Sequence, residues 1–221
     1  MSIKKYDVVV IGLGAVGAAT LFQLSKSNIS ILGIDRFDPP HKMGSSHGET
    51  RITRLAVGES DSYVPMVMRS HEIWREIEML SNSSIFTQCG GILLDSGDLP
   101  WSKHGSEGFL KRTVGFAEKY GINHKVLDSL QFQEYYPLFQ LGKKGTCYFE
   151  PSAGYLRPEQ AILSQLSLAE RNGASILRNS PVTSISKLNN GRVKVIFEEG
   201  EVIADKIINC SGGWIKDFVS T

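Results

Sequence analysis

Apolar residues follow two rhythms along the chain. Tyr6 to Ile11 (YDVVVI) is a continuous β-branched run, the pattern of a parallel strand buried on both faces. Gly12 to Gly17 breaks it, and Ala15 to Ser27 then carries Val16, Ala19, Leu21 and Leu24 at helical spacing. Ser30 to Asp35 reads as a second short strand. Strand, glycine turn, helix and strand fit within about 30 residues, the size of one mononucleotide-binding crossover. Phe37 to Glu49 predicts a loop, marked by Pro39, Pro40, Gly44, Ser45, Ser46 and Gly48. Further helices are predicted over Val64 to Leu80, Gly108 to Tyr120, Ser129 to Tyr136 and Pro158 to Asn172, with Gly121, Pro137 and Gly173 as stops. Ile85 to Asp95 reads as a strand pair, or one long strand broken at Gly90-Gly91. Strands are also expected at Ser175 to Arg178, Val193 to Glu198 and Val202 to Cys210, with hairpin-type turns at Asn189-Asn190-Gly191 and Glu199-Gly200. A last helix begins at Trp214 and runs to Val219.

Composition narrows the function classes. A chain of 221 residues with 41% apolar content can bury a real core as one large domain or two small ones. Its 24 basic and 23 acidic side chains leave a net charge of +1, too little field for nucleic acid or an anionic membrane surface. No apolar run approaches the roughly 18 residues of a membrane span. Lys4 and Lys5 before Val8 to Leu13 loosely imitate a signal peptide. The run is short, Asp7 interrupts it, and no small-residue cleavage site follows, so a buried strand explains it better. Cys89, Cys147 and Cys210 form no CxxC pair and are odd in number. They predict reduced, mostly buried thiols in a cytoplasmic protein. No metal-ligand spacing is present.

Gly12-Leu13-Gly14-Ala15-Val16-Gly17 fits G-x-G-x-x-G. Gly12 permits the tight turn, Gly14 lets backbone approach a pyrophosphate, and Gly17 lets the helix pack close to the strand. Free N–H groups and the dipole at the helix start attract phosphates. Asp35, ending the next strand, is placed to accept hydrogen bonds from ribose hydroxyls and would repel a 2′-phosphate. Arg36 argues either towards NADP, or for stacking on adenine, or for nothing beyond a solvated surface cation.

Gly44 to Arg54 (GSSHGETRITR) is the most specific stretch. Its small residues bring backbone close to something flat or anionic, and His47, Arg51 and Arg54 crowd the same region. Arg51 and Arg54 would share a face if the segment were helical. On composition alone it reads as a basic surface loop.

These residues resemble the monomeric sarcosine oxidase and N-methyl-L-tryptophan oxidase family of FAD-dependent amine oxidoreductases. The resemblance runs through Asp38-Pro39-Pro40-His41, Gly44 to Arg54, Tyr63-Val64-Pro65, Glu150 to Arg157, Pro181 to Ile185 and Ile207 to Trp214. It implies an α/β fold: a Rossmann-like FAD-binding domain of the glutathione-reductase type, with part of an inserted antiparallel-sheet substrate domain. The expected boundaries are 1–85 and 150–221 for the FAD domain and 86–149 for the insertion. It implies that Gly12, Gly14, Gly17 and Asp35 hold the ADP half of FAD; Val16 and Arg36, beside them, are also expected among the cofactor-binding residues. Val182 would contact adenine and Gly212 would approach the cofactor. Ser45, Thr50 and Arg51 would lie along the flavin. His47, Arg51 and Arg54 are the expected catalytic residues, Arg54 binding the substrate carboxylate. Many bacterial relatives have a second histidine where this chain has Ser46, and aspartate where it has Glu49.

The implied reaction is oxidative N-demethylation of an N-methyl amino acid. A hydride leaves the N-methyl carbon for the flavin, the imine hydrolyses to amino acid and formaldehyde, and oxygen reoxidises the flavin to give hydrogen peroxide. The expected partners are that small substrate and oxygen, in a monomeric enzyme. Family members are longer and attach FAD through a cysteine in their C-terminal part. The chain is therefore expected to be C-terminally truncated and inactive alone. The rival readings are an NAD-dependent dehydrogenase and a non-catalytic dinucleotide-binding fragment.

Overall fold

The structure is a computed structural model that describes residues 3–97 and 108–218. It divides into two compact units. One comprises Met1–Thr50, Ile77–Ile85 and Arg157–Thr221, and the other Arg51–Glu76 and Phe86–Leu156.

The first unit is built on β1 (Lys4–Ile11), α1 (Ala15–Leu24) and β2 (Ile31–Ile34). Later in the chain come α5 (Pro158–Arg171), β9 (Ser175–Leu177), β10 (Val182–Lys187), β11 (Val193–Phe197) and β12 (Gly200–Asn209). The strands form one sheet in the order β10-β11-β12-β1-β2-β9. β12, β1, β2 and β9 run parallel, and β11 folds back antiparallel between β10 and β12. The unbroken apolar run of β1 has its cause here. Val8 and Val10 point to one face, where Ala18 and Leu21 of α1 meet Ile162 and Leu166 of α5. Val9 and Ile11 point to the other, packing with Leu32, Val182 and Val195. Each such side chain withdrawn from water contributes about 1.5–3 kcal/mol.

The second unit holds β3 (Arg51–Thr53), most of α2 (Tyr63–Ser81), β4 (Phe86–Gln88), β5 (Gly91–Asp95) and α3 (Phe109–Lys119). β6 (Lys125–Asp128), α4 (Ser129–Tyr135), β7 (Thr146–Glu150) and β8 (Gly154–Leu156) complete it. Two antiparallel three-stranded sheets result, β3-β8-β4 and β5-β7-β6.

Several expectations need revision. Ile85 to Asp95 is neither a hairpin nor one strand, because β4 pairs with β8 while β5 pairs with β7, in separate sheets. Arg51–Thr53 is a strand, so the helical-face argument for Arg51 and Arg54 does not hold; alternation sends positions three apart to opposite faces. Residues 51–76 group with the second unit because β3 hydrogen-bonds to β8. β10, β6, β7 and β8 had not been read from the sequence as strands. The final helix is a 3-10 turn over Gly212–Asp217, and Val219 lies outside the described residues. Cys147 is buried, Cys210 is half-buried, and Cys89 is exposed rather than buried. No helix among the described residues is long and apolar enough to cross a membrane.

Candidate cofactor site

The strand β1 delivers the chain into a turn that only glycine tolerates. Gly12 has φ +86°, and a Cβ there would come within 2.7 Å of the Cys210 carbonyl oxygen and 2.8 Å of Ser211 Cα. Its N–H donates to the Ile34 carbonyl at 2.8 Å. Gly14 is the N-cap of α1 and offers no side-chain cap, so that residue gives the helix start backbone alone. At Gly17 a Cβ would collide with the Gly12 carbonyl oxygen. That glycine is absent from the cavity wall and serves helix–strand packing instead.

Asp35 follows β2 and is 5% exposed. Its Oδ2 accepts the Leu13 N–H at 2.6 Å and its Oδ1 accepts the Phe37 N–H at 2.8 Å. His41 Nε2 stands 3.4 Å from Oδ1. The acid thus braces the glycine turn as well as facing the cavity. Oδ2, with the Leu13 N–H as its donor, keeps a second lone pair for a hydroxyl. Arg36 is drawn 3.3 Å from Asp217; the exposed pair is weak, but its geometry directs the guanidinium at a carboxylate of this chain.

A cavity of about 560 Å³ opens over the turn. Of the residues singled out in the sequence, Gly12, Gly14, Val16 and Asp35 line it at the turn. Arg36, Ser45, Val182 and Gly212 line it elsewhere. At Gly212 and Gly213 a Cβ would meet nothing within 4 Å, so this stretch of wall is bare backbone. Phe37, His41 and Trp214 had not been assigned to the site, yet they line it too. Their rings are grouped edge-on, 4.9 Å between Phe37 and His41 and 6.1 Å between Phe37 and Trp214. The signal was available: an aromatic two residues after the ribose acid, and a histidine six residues after it.

Loop 37–50 also supplies Ser46, whose Oγ accepts the Ala15 N–H at 3.2 Å. His47 and Thr50 belong to the first unit but are not cavity-lining. Arg51 and Arg54 belong to the second unit. There Nη2 of Arg54 lies 3.2 and 3.3 Å from the two Glu59 oxygens, and its buried Nε has no hydrogen-bond partner. Glu150 is fully buried in the same unit. It accepts from Leu55 N–H (2.6 Å), Ala56 N–H (3.1 Å), Tyr148 O–H (2.8 Å) and Ser152 O–H (2.8 Å). Burial beside this carboxylate pushes the Tyr148 phenol far up. His71 Nε2 is 2.8 Å from Thr53 Oγ1, and burial holds its imidazole below the usual range. Among the described residues no group of three His, Cys, Asp or Glu side chains could hold a metal ion.

The profile of the FAD dependent oxidoreductase (DAO) family matches residues 7–221. The chain belongs to that family. It is 35% identical over 216 residues to an N-methyl-L-tryptophan oxidase of Yersinia pestis (strain Pestoides F), covering 98% of this chain and 56% of that protein. NikD, an amino acid oxidase of nikkomycin biosynthesis, shares the fold in its open form, with a TM-score of 0.83 at 20% identity over 97% of this chain and 53% of NikD. L-α-glycerophosphate oxidase from Mycoplasma pneumoniae with FAD bound gives a TM-score of 0.77 at 17% identity, over 96% of this chain and 55% of that one. The chain spans about half the length of the relatives it matches. The family's cofactor is FAD, which removes the NAD-dependent rival. The cavity fits the ADP half of that group: a helix start whose N-cap glycine carries no side chain for the pyrophosphate, a buried acceptor for ribose, and bare backbone at Gly212-Gly213 beside an aromatic wall.

Proposed function

We propose that this FAD-family chain forms the cofactor-binding part of an oxidase of secondary amino acids, of the N-methyl-L-tryptophan or sarcosine type. The cavity over Gly12 to Gly14 carries this reading, since it joins every element the ADP half requires. The resemblance to an N-methyl-L-tryptophan oxidase supports the substrate class. Bound FAD supplies the acceptor for a hydride from the N-methyl carbon. Water and oxygen then complete the balance: N-methyl amino acid, water and oxygen give amino acid, formaldehyde and hydrogen peroxide.

The chain's own residues bind and orient. Gly14 and Ala15 present α1 to the pyrophosphate, and Asp35 accepts from ribose. Arg54 is the carboxylate partner. Glu59 holds its Nη2 and its Nε–H has no hydrogen-bond partner, so the guanidinium keeps donors for a planar carboxylate. Ser45, His47, Thr50 and Arg51 are the proposed flavin-side residues.

The test is a FAD titration of the purified chain, with N-methyl-L-tryptophan or sarcosine then added under anaerobic conditions to the protein in its full natural length. Flavin absorption that shifts on binding and bleaches with either amine supports the reading. Absence of FAD binding overturns the cofactor assignment. Bound flavin that bleaches only with primary amino acids overturns the substrate class.

A further inference from the structure

Loop 37–50 has no helix or strand of its own, yet Ser46 is held at the start of α1. Part of the hold comes from Glu159, in the first turn of α5. Its Oε1 accepts the Gly48 N–H at 2.7 Å and the Glu49 N–H at 3.4 Å. Both donors lie in left-handed backbone, Gly48 at φ +114° and Glu49 at φ +59°. Successive N–H groups in such a turn converge on one side and make a concave anion seat. Here a side chain of this protein fills the seat. A non-glycine residue at positive φ is strained, and a charged acceptor on its N–H offsets the strain. These N–H bonds hold the Glu159 carboxyl below the usual carboxylate range, so it is ionised at neutral pH. The backbone behind Glu159 is firm, since Ile162, Leu166 and Ala169 of α5 pack into the core against α1.

We propose that Glu159 is a positioning residue for dinucleotide binding: it pins the Gly48-Glu49 turn and thereby sets the Ser46 hydroxyl over the phosphate-binding end of α1. The inference rests on the dinucleotide reading of the cavity. Ser46 Oγ accepts from Ala15 N–H and lies 3.4 Å from where a Cβ on Gly14 would be. It also lines the cavity, so its O–H can be donated to a phosphate oxygen. Without Glu159 the turn loses its anchor, and the ligand must order the loop as it binds.

The experiment is calorimetric titration of ADP, which lacks the flavin, into the wild-type chain, E159A, E159Q, S46A and E159A/S46A. The unliganded thermal midpoint of each is recorded alongside. E159A is expected to weaken ADP roughly fivefold to tenfold, the scale of a lost charge-assisted contact. E159Q, which keeps an acceptor oxygen without the charge, should weaken it by about two- to threefold. Because both residues act through one contact, the double variant should bind within about twofold of S46A. If E159A and E159Q bind ADP like wild type, or if the E159A and S46A losses multiply in the double variant, the proposal is overturned. Failure of the wild-type chain to bind ADP overturns the reading of the cavity and the proposal with it. A loss in E159A that tracks a fallen thermal midpoint and is not matched in part by E159Q also overturns it.

Discussion

Three glycines in one turn do three different jobs, and single methyl groups separate them. At Gly17 the added carbon would overlap the Gly12 carbonyl oxygen and come within 3.3 Å of Cys210 Cβ. Relief requires α1 to move off the sheet. Gly17→Ala should therefore destabilise the chain by about 2–3 kcal/mol, the cost of forcing volume into a packed contact. It should appear as a lower urea midpoint with ADP absent. At Gly14 the same carbon would touch only the Ser46 hydroxyl, at 3.4 Å. Gly14→Ala should cost less than about 1 kcal/mol in stability, yet weaken ADP several-fold, because the methyl enters the phosphate approach. Equal stability losses for the two variants would refute this division of labour. Asp35 combines both kinds of work, since its two oxygens brace Leu13 and Phe37 while it faces the cavity. In Asp35→Asn one N–H donor would confront an amide NH2. A stability loss of about 1–3 kcal/mol is expected, together with weaker ADP binding measured by calorimetry.

Elements with a strong local signal were legible in the sequence, and elements defined by distant partners were not. The β1-turn-α1-β2 unit announced itself through β-branched residues, glycines and helical spacing inside one short window. The chain also ends α3 with Gly121 at φ +64° and opens α5 with proline, both as local rules require. In contrast β3, β8 and β4 have three residues each. Such strands exist only because β8 pairs with both neighbours, a fact no window of sequence contains. The same limit hid Phe37, His41 and Trp214, which meet only when β2 and β12 take their places on either side of β1. A tertiary contact also sets the titration of α2. His71, on that helix, reaches Thr53 of β3 and is partly withdrawn from water, which lowers its pKa. Glu150 pulls in the opposite direction, but burial dominates. The folded imidazole therefore binds a proton less readily than the unfolded one. Its contribution to stability is present above the ordinary histidine pKa of about 6.5 and is lost as pH falls through the depressed folded value. Urea midpoints should fall between pH 7.5 and 5.5 by more in the wild-type chain than in His71→Gln. Identical slopes would show that His71 does not contribute.

At the scale of the molecule, two units with separate cores carry separate parts of the proposed chemistry. The ADP cavity belongs wholly to the first, and Glu150 organises the second. Glu150 is an accept-only carboxylate serving four donors while fully buried. Glu150→Ala would leave Leu55 N–H, Ala56 N–H and the Tyr148 hydroxyl without that acceptor, and should destabilise the second unit by about 3 kcal/mol or more. The three thiols make the outcome readable. Cys89 is exposed and sets the baseline rate of reaction with a thiol reagent. Cys147 lies on β7, three residues before Glu150, with burial pushing its thiol up to about 11. It reacts only when the second unit opens. Cys210 lines the ADP cavity and its thiol is likewise raised by burial. In the wild-type chain Cys89 should label first, and ADP should slow labelling of Cys210 alone. In Glu150→Ala, Cys147 should label at least tenfold faster, about 1.4 kcal/mol of eased opening or more. ADP should still protect Cys210, because the glycine turn, Asp35 and loop 37–50 lie in the other unit. If the substitution removes that protection as well, the units unfold as one body, and the cavity depends on the second core.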